Sequence, residues 1–433
     1  MSEFFHSVTL DAEKCRGCTN CLRRCPTQAI RVRDGKARIL SEKCLDCGEC
    51  IRVCPYHAKK AVFDSMDRMQ EFDYTIALPA PTLYGQFNNL RNVDYVLTGL
   101  LQLGFDKVYE VSKSAEIISE TTRRLMETGN LARPVISSAC PAVVRLIRVR
   151  FPNLCHLVLP LVSPMHAAAK AAKVEAAAQT GLPLQRIGAF FITPCPAKVT
   201  DIRSPVGPDQ SWVDGAFAIS DIYPRLLEKM NRVEIPEPVA DSGALGVSWA
   251  SSGGESTALL REKYLAADGI ENVIAVLENL DTEQVGELEF IELNACSGGC
   301  VGGVLTVANP FVAKARLHRL RNHLPPASIH PESNAASMRW ENPLEYTRVM
   351  QLSDNLTEAM TMMQEIDRLC ALLPGLDCGS CGAPTCRTHA EDIVKGNALL
   401  NDCLFILREQ AEAAGINLSG LYHRTPEETE KPL

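Results

Sequence analysis

Between residues 67 and 350 the apolar positions switch repeatedly between a helical and a strand period. Leu97 to Phe105 has helical spacing, KVYEV (107–111) has the look of a strand, and SAEIISETTRRLMETGN (114–130) is a capped helix ending at Gly129–Asn130. This alternation predicts an α/β domain with much parallel sheet. Three of the apolar runs end in a cysteine: PVISSAC at Cys140, AFFITPC at Cys195 and EFIELNAC at Cys296. Loops beyond the carboxyl ends of strands in open α/β sheets converge on a crevice, so thiols distant in the chain can meet there. The third run continues as CSGGCVGG and supplies Cys300. Its glycines, Gly298, Gly299, Gly302 and Gly303, are expected to let the backbone approach a bulky inorganic group without Cβ clashes. Each cysteine alone is equally readable as a small buried apolar residue. The threefold repetition favours a ligand set of Cys140, Cys195, Cys296 and Cys300, enough for one [4Fe–4S] cubane.

Two further cysteine patterns flank this region. CRGCTNCLRRCP (15–26) and CLDCGECIRVCP (44–55) repeat C-x2-C-x2-C-x3-C-P, a bacterial ferredoxin arrangement in which the fourth cysteine serves the other cluster. Cys15, Cys18, Cys21 and Cys54 are then one set, and Cys44, Cys47, Cys50 and Cys25 the other. Zinc also takes four thiolates and is the alternative, but two copies with prolines Pro26 and Pro55 favour cubanes and electron transfer. Toward the other end, LTEAMTMMQEIDRLCALL (356–373) places Leu356, Met360, Met363, Ile366, Leu369, Cys370 and Leu373 on one helical face, which makes Cys370 a core residue. Cys155 has no partner spacing. DCGSCGAPTCRTHAEDIVKGNALLNDC then offers Cys378, Cys381, Cys386 and Cys403 as another four-thiol set, with zinc again the alternative.

Composition narrows the setting. The chain has 433 residues, 18 cysteines and a formal charge of −8, with no block of Lys/Arg, which argues against nucleic acid as the main partner. The start, MSEFFHSVTLDAEKC, lacks a signal-peptide core, and no apolar run approaches the ~18 residues that a spanning helix needs. The expectation is a cytoplasmic protein with no membrane partner, whose clustered cysteines bind metal. Expected domains are 1–66 (2×[4Fe–4S] ferredoxin, α+β), 67–350 (the α/β domain, two lobes with mixed or parallel sheets), 351–420 (a small, mostly helical iron–sulfur domain) and a polar tail, 421–433.

The three strand-end segments, SSACP (137–141), TPCPAK (193–198) and ELNACSGGCVGG (292–303), resemble the signature regions of the catalytic domain of [FeFe]-hydrogenases. The resemblance runs over roughly residues 70–320, including LGFDKVYEV (103–111) and SSGGESTALLR (251–261), and the C-terminal stretch resembles the small iron–sulfur domain of several anaerobic redox enzymes. It implies that Cys140, Cys195, Cys296 and Cys300 hold the cubane of the hydrogen-activating cluster, and that Cys300 bridges to a diiron subsite bearing CO, cyanide and a dithiolate. Lys198 would donate to an iron-bound cyanide, a charge-assisted hydrogen bond, and Pro194 would lie against the cofactor. In all, four [4Fe–4S] clusters and one diiron subsite are implied.

Hydrogen-producing members of that family carry a proton-handling cysteine where this chain has Ala139, whose methyl group neither donates nor accepts protons. A positioned acid or base typically contributes ~10²–10⁴-fold to proton transfer, so slow H2 turnover and a sensory role are expected. Thr193, Asn294 and Met165 also depart from the family pattern, as in its sensory branch, and residues 78–80 (LPA) match a loop beside the diiron subsite. The implied partners are H2 and protons, a redox protein, a separate signalling protein and the diiron maturation proteins. Two alternatives are a turnover hydrogenase using a substitute proton path, through Ser138 or a water chain, and a non-catalytic iron–sulfur electron-transfer or assembly protein lacking the diiron unit.

Overall fold

The computed structural model describes residues 5–416 except 130, 283, 285 and 329–337; the expected tail and Asn130 lie outside these. Contacts divide the chain into two compact units. The first comprises Met1–Thr9, Cys44–Arg52 and Lys59–Arg348, the second Leu10–Lys43, Val53–Ala58 and Val349–Leu433.

The two larger sheets of the first unit are parallel throughout. One has the order Lys107–Val108, Tyr74–Pro79, Ile187–Thr193, Gly215–Ala218, and the other Tyr264–Asp268, Phe290–Asn294, Val135–Ile136. Strand parity explains why both faces of the larger sheet are covered. Ala77, Phe190 and Ile192 enter one core with Leu97, Phe217 and Leu226, while Ile76, Leu78 and Phe191 enter another with Ala168, Ala172 and Val199. Phe190 and Phe217 stack with centroids 5.0 Å apart. Their side chains, buried completely, contribute roughly 1.5–3 kcal/mol each by leaving water.

The predicted strand at 107–111 is shorter, and the next helix starts earlier, at Val111. The cause is Glu110. Its buried carboxylate accepts hydrogen bonds from Tyr84 Oη (2.6 Å), Asp241 N (2.6 Å) and Ser242 Oγ (2.8 Å), which pulls the chain off the sheet edge and leaves Glu110 at the helix N-cap. The first predicted helix covers Asp94–Gln102, and Gly104, with φ +107°, follows its end. No helix among the described residues is long and apolar enough to cross a membrane.

The second unit combines the antiparallel hairpin Ile30–Arg33/Lys36–Ile39 with the helices Leu356–Leu372, Cys386–Val394 and Leu404–Ala413. Val32 N bonds Gly382 O, and the Arg31 guanidinium grips Asp392 through two nitrogens (Nε 2.5 Å, Nη2 3.0 Å), with Arg33 Nη2 on the same carboxylate at 3.2 Å. The predicted apolar face of the 356–373 helix is buried in its second half alone. Ile366, Leu369 and Leu373 join Ala390, Cys403 and Ile406 in a core with Cys370 at its margin, whereas Leu356, Met360 and Met363 stay exposed. The small core engages two turns, so helical periodicity overstated the packed length.

Removing one partner of a buried ion pair leaves an uncompensated charge and costs about 3–5 kcal/mol. Asp392→Ala is therefore expected to loosen the second unit by about that amount. Limited proteolysis should cut the variant near residues 349–416 at protease levels the native protein resists; equal resistance would show that the Arg31–Asp392 pair does not hold the hairpin and helices together.

Candidate metal centre

The thiols of the first unit come from both sheets. Cys195 follows the Ile187–Thr193 strand and caps the helix Pro196–Arg203, Cys140 follows Val135–Ile136 and caps Pro141–Arg150, and Cys296 follows Phe290–Asn294. A thiolate at a helix N-terminus is favoured by the helix dipole, and two of the four cysteines stand there. All four act electrostatically on one another. Burial pushes the Cys195 thiol up to about 11 against the pull of Lys198, with Cys300 and Cys140 adding to the rise. Cys296 is raised further, by burial and then by Cys195 and Cys140, while Arg52 opposes. Cys300 is raised by burial, opposed by Lys198. Without countercharge Cys195, Cys296 and Cys300 stay protonated.

Lys198 lies on the helix after Cys195, with Nζ 3.8 Å from Cys300 Sγ. Burial alone would lower its pKa, but the fields of Cys300, Cys195, Cys140 and Cys296 outweigh that and raise it, so it is an ammonium. A cationic inorganic group is what such thiols require, and the donor set therefore fits an iron–sulfur cluster. Beside Cys300 and Lys198 a cavity is lined by Ala139, Met165, Pro194 and Asn294, among others. Ala80, Pro81 and Thr82 also face it, so the loop after residues 78–80 reaches the cavity. Thr193 is turned elsewhere, its hydroxyl bonded to Cys195 O and N. Ser138 donates to Leu161 O (2.9 Å) and borders a neighbouring cavity instead.

Two of the glycines near Cys300 are demanded by the protein's own packing. A Cβ on Gly302 would fall 2.1 Å from Ser297 O, and one on Gly303 2.2 Å from Pro194 O. Gly302 lets its loop fold back on itself and Gly303 lets two loops cross, and together they set the path of Cys300. The loop Cys44–Arg52, with Cys44, Cys47 and Cys50, packs on this crossing: Arg52 Nη2 donates to Gly302 O at 2.7 Å, and Gly48 faces Val304 and Pro196.

Sequence inspection missed a pair of buried carboxylates on the cavity, Glu255 and Glu292. Glu292 accepts from Gly253 N (2.9 Å), Ser256 N (2.9 Å) and Asn294 Nδ2 (3.0 Å), whereas Glu255 has Ser137 Oγ at 2.5 Å. Burial first, then repulsion from Glu292, pushes Glu255 up to about 8; burial also raises Glu292, its donors resisting. Three donors favour the carboxylate of Glu292, so Glu255 is the member of the pair that more readily keeps a proton. A single glutamate inside SSGGES carries no periodic signal that would have marked it.

The second unit contains Cys15, Cys18, Cys21, Cys25 and Cys54; Cys403 belongs to the small helical core, Cys386 packs against it, and Cys378 and Cys403 act electrostatically on Cys381. Backbone N–H groups reach three of these sulfurs: Ala37 to Cys15 (3.4 Å), Ala29 to Cys25 (3.2 Å) and Ala58 to Cys54 (3.3 Å). Such N–H···S bonds suit thiolates held by iron. Cys155 is buried in the first unit and burial raises its thiol, in keeping with an apolar role.

Two parallel sheets joined by a buried four-cysteine, one-lysine centre define an iron–sulfur redox domain. The family described as "Iron only hydrogenase large subunit, C-terminal domain" matches residues 73–264 and 255–304, more than half of the chain. The chain belongs to this family, the [FeFe]-hydrogenases. A "4Fe-4S dicluster domain" matches residues 7–55, and an Fe-S cluster family matches residues 373–405. The protein is 27% identical over 293 residues to Iron hydrogenase 1 of Clostridium pasteurianum, covering 53% of this chain and 49% of that one. It is 25% identical over 373 residues to the Periplasmic [Fe] hydrogenase large subunit of Nitratidesulfovibrio vulgaris, covering 72% and 88%. Among solved structures, [FeFe]-hydrogenase HydA1 from Chlamydomonas reinhardtii aligns with a TM-score of 0.45 at 15% identity, covering 60% of this chain and 85% of that one. The chain spans about half the length of the first two curated relatives.

The raised Glu255 predicts a stability trend. The folded state holds a proton that the unfolded chain releases near the ordinary carboxylate value, so between about pH 5 and pH 8 the native state binds more protons and loses stability as pH rises, by at most about 1.4 kcal/mol per unit. Glu255→Gln should flatten that slope in thermal-shift scans from pH 5 to 9. Parallel wild-type and variant curves would place the proton elsewhere.

Proposed function

We propose that this protein binds H2 and slowly interconverts it with protons and electrons, serving as a sensor of H2 or redox state. The observation that carries the reading is Ala139, a methyl group on the cavity wall shared by Cys300 and Lys198. Cys140, Cys195, Cys296 and Cys300 would hold a cubane, with Cys300 also meeting a diiron subsite bearing CO, cyanide and a dithiolate. When bound, that cofactor supplies the H2-splitting chemistry and stores electrons. Lys198 keeps a fixed positive charge in the cavity, suited to an anionic ligand. Pro194, Met165 and Ala80 line it with apolar surface. No side-chain atom of Ala139 moves a proton, so proton exchange at that wall is slow.

Cys15, Cys18, Cys21 and Cys54, then Cys44, Cys47, Cys50 and Cys25, and finally Cys378, Cys381, Cys386 and Cys403 would hold three more cubanes. These would pass electrons to a redox partner, and a change in their charge would reach a separate signalling protein. Loading of the diiron subsite calls for dedicated maturation proteins. Among the described residues no disulfide links any of the eighteen cysteines, in keeping with a reducing, anaerobic compartment such as the cytoplasm.

A second reading, turnover by a substitute proton path, is favoured by Glu255. It shares the cavity, keeps a proton more readily than Glu292 and is bonded to Ser137, whose hydroxyl accepts from Ala139 N at 3.2 Å. Ala139→Cys separates the readings. If the missing proton carrier limits the rate, dye-coupled H2 turnover should rise roughly 10²–10⁴-fold; a change of a few-fold would assign proton transfer to Glu255 instead. Protein matured with a diiron unit should show infrared bands of iron-bound CO and cyanide. Their absence would leave an electron-transfer protein without hydrogen chemistry.

A further inference from the structure

A second cavity adjoins the first and shares Ser163 with it. Its polar lining comprises Ser138, Ser163, His166 and Asp201, closed by Trp340. Ser163 is buried, and its hydroxyl has no hydrogen-bond partner among the described residues. A hydroxyl in that state is ordinarily satisfied by solvent, provided the void is polar and roomy enough for a water with two or more partners. The smaller cavity is lined by a buried acid and a buried base as well as by the orphan hydroxyl, so a water held there would have polar partners. His166 Nε2 lies 3.1 Å from Asp201 Oδ2, and His166 Nδ1 lies 3.5 Å from Ser211 Oγ. His166 and Asp201 are both buried, whereas Ser211 is partly exposed. Arg145 also interacts with Asp201, and Arg145 itself stands 3.9 Å from Asp46.

We propose that these groups form a proton path from the Ala139 cavity to solvent, in which a water in the smaller cavity joins the Ser163 hydroxyl to the His166–Asp201 pair. This rests on the reading of the larger cavity as the hydrogen-activating site. Outward transfer begins when the water gives a proton to the pair, which becomes an imidazolium facing a carboxylate. The water recovers a proton from the Ser163 hydroxyl, and Ser163 is refilled from the larger cavity. His166 Nδ1 then releases its proton to Ser211 Oγ, and Ser211 passes one to solvent. One proton enters, one leaves, and no bond between heavy atoms changes. The path approaches from the Ser163–Met165 side of the cavity, apart from Glu255 and Ser137, and so gives a chain with Ala139 a proton route that uses neither.

The test combines a structure and a spectrum. A crystal structure of the native protein should show an ordered water within hydrogen-bond distance of Ser163 Oγ and of the His166–Asp201 pair. His166→Gln and Asp201→Asn, loaded with the diiron unit, should match the wild type in iron content and in the intensity of the CO and cyanide bands. Both should slow H2/D2O exchange by roughly 10²-fold, the low end for a positioned acid–base group, and shift the pH at which the infrared bands change. Ser163→Ala should remove the water and slow exchange equally. A dry cavity, or unchanged exchange and pH response in both His166 and Asp201 variants, overturns the path while leaving the hydrogen-activating reading intact. Loss of exchange in Glu255→Gln alone would assign the route to the carboxylate pair. Absence of CO and cyanide bands in the wild type would instead overturn the reading on which the path rests.

Discussion

Four thiols and one ammonium share a site from which water is largely excluded, and their charge balance constrains everything around them. At a few ångströms, two like charges near a protein surface repel by about 4 kcal/mol at 4 Å with an effective dielectric near 20, and burial strengthens this. Lys198 can offset one negative charge of a possible four. The remainder must be met by protons, which keeps the set as thiols, or by iron. Two other features lean toward the anionic form: the helix N-termini at Cys140 and Cys195, and the Arg52 field on Cys296. They lower the cost of thiolate formation without removing the need for a cation, which is the balance that a cluster-binding site requires.

The same constraint explains why backbone crossings are so tight around Cys300. To bring a sulfur from the smaller sheet beside one from the larger sheet, the 296–303 loop passes against Ser251, Ser252 and Pro194 at separations that admit no Cβ on Gly299 or Gly303. Close crossing exchanges side-chain volume for position. Once Cys300 is fixed this way, Lys198 needs only the rigid helix that Cys195 starts. The ammonium is then placed by packing, and the cavity beside it keeps its shape whether or not a proton carrier lines it.

Much of this was legible in the sequence because cysteine spacing and strand-length apolar runs are local signals. The run ending at Cys195 is buried at every position from Ile187 to Thr193, as a central parallel strand should be. The run ending at Cys140 pairs over Val135–Ile136 alone; Ser137, Ser138 and Ala139 leave the sheet to serve cavities and hydrogen bonds, a tertiary demand that no periodicity announces. Glu255, Glu292, Ser163, His166 and Asp201 were invisible for the same reason. Each is an ordinary polar residue whose importance arises from burial and from neighbours distant in the chain. The exposed Leu356, Met360 and Met363 show the converse: a clear helical stripe does not reveal how large a core it meets.

The first unit also joins its electron-handling loop to its candidate reaction cavity through very few groups. Arg52 touches the Gly302 carbonyl on the loop of Cys300, acts on Cys296 and stands two residues from Cys50. A guanidinium so placed feels charge added or removed at the four-thiol centre, and because Arg52 is itself exposed, solvent screens part of that field. If proton movement at Ala139 is slow while electron movement past Arg52 is not, charge accumulates at the centre between proton events. On the function proposed above, that imbalance would suit a protein whose output is its redox state.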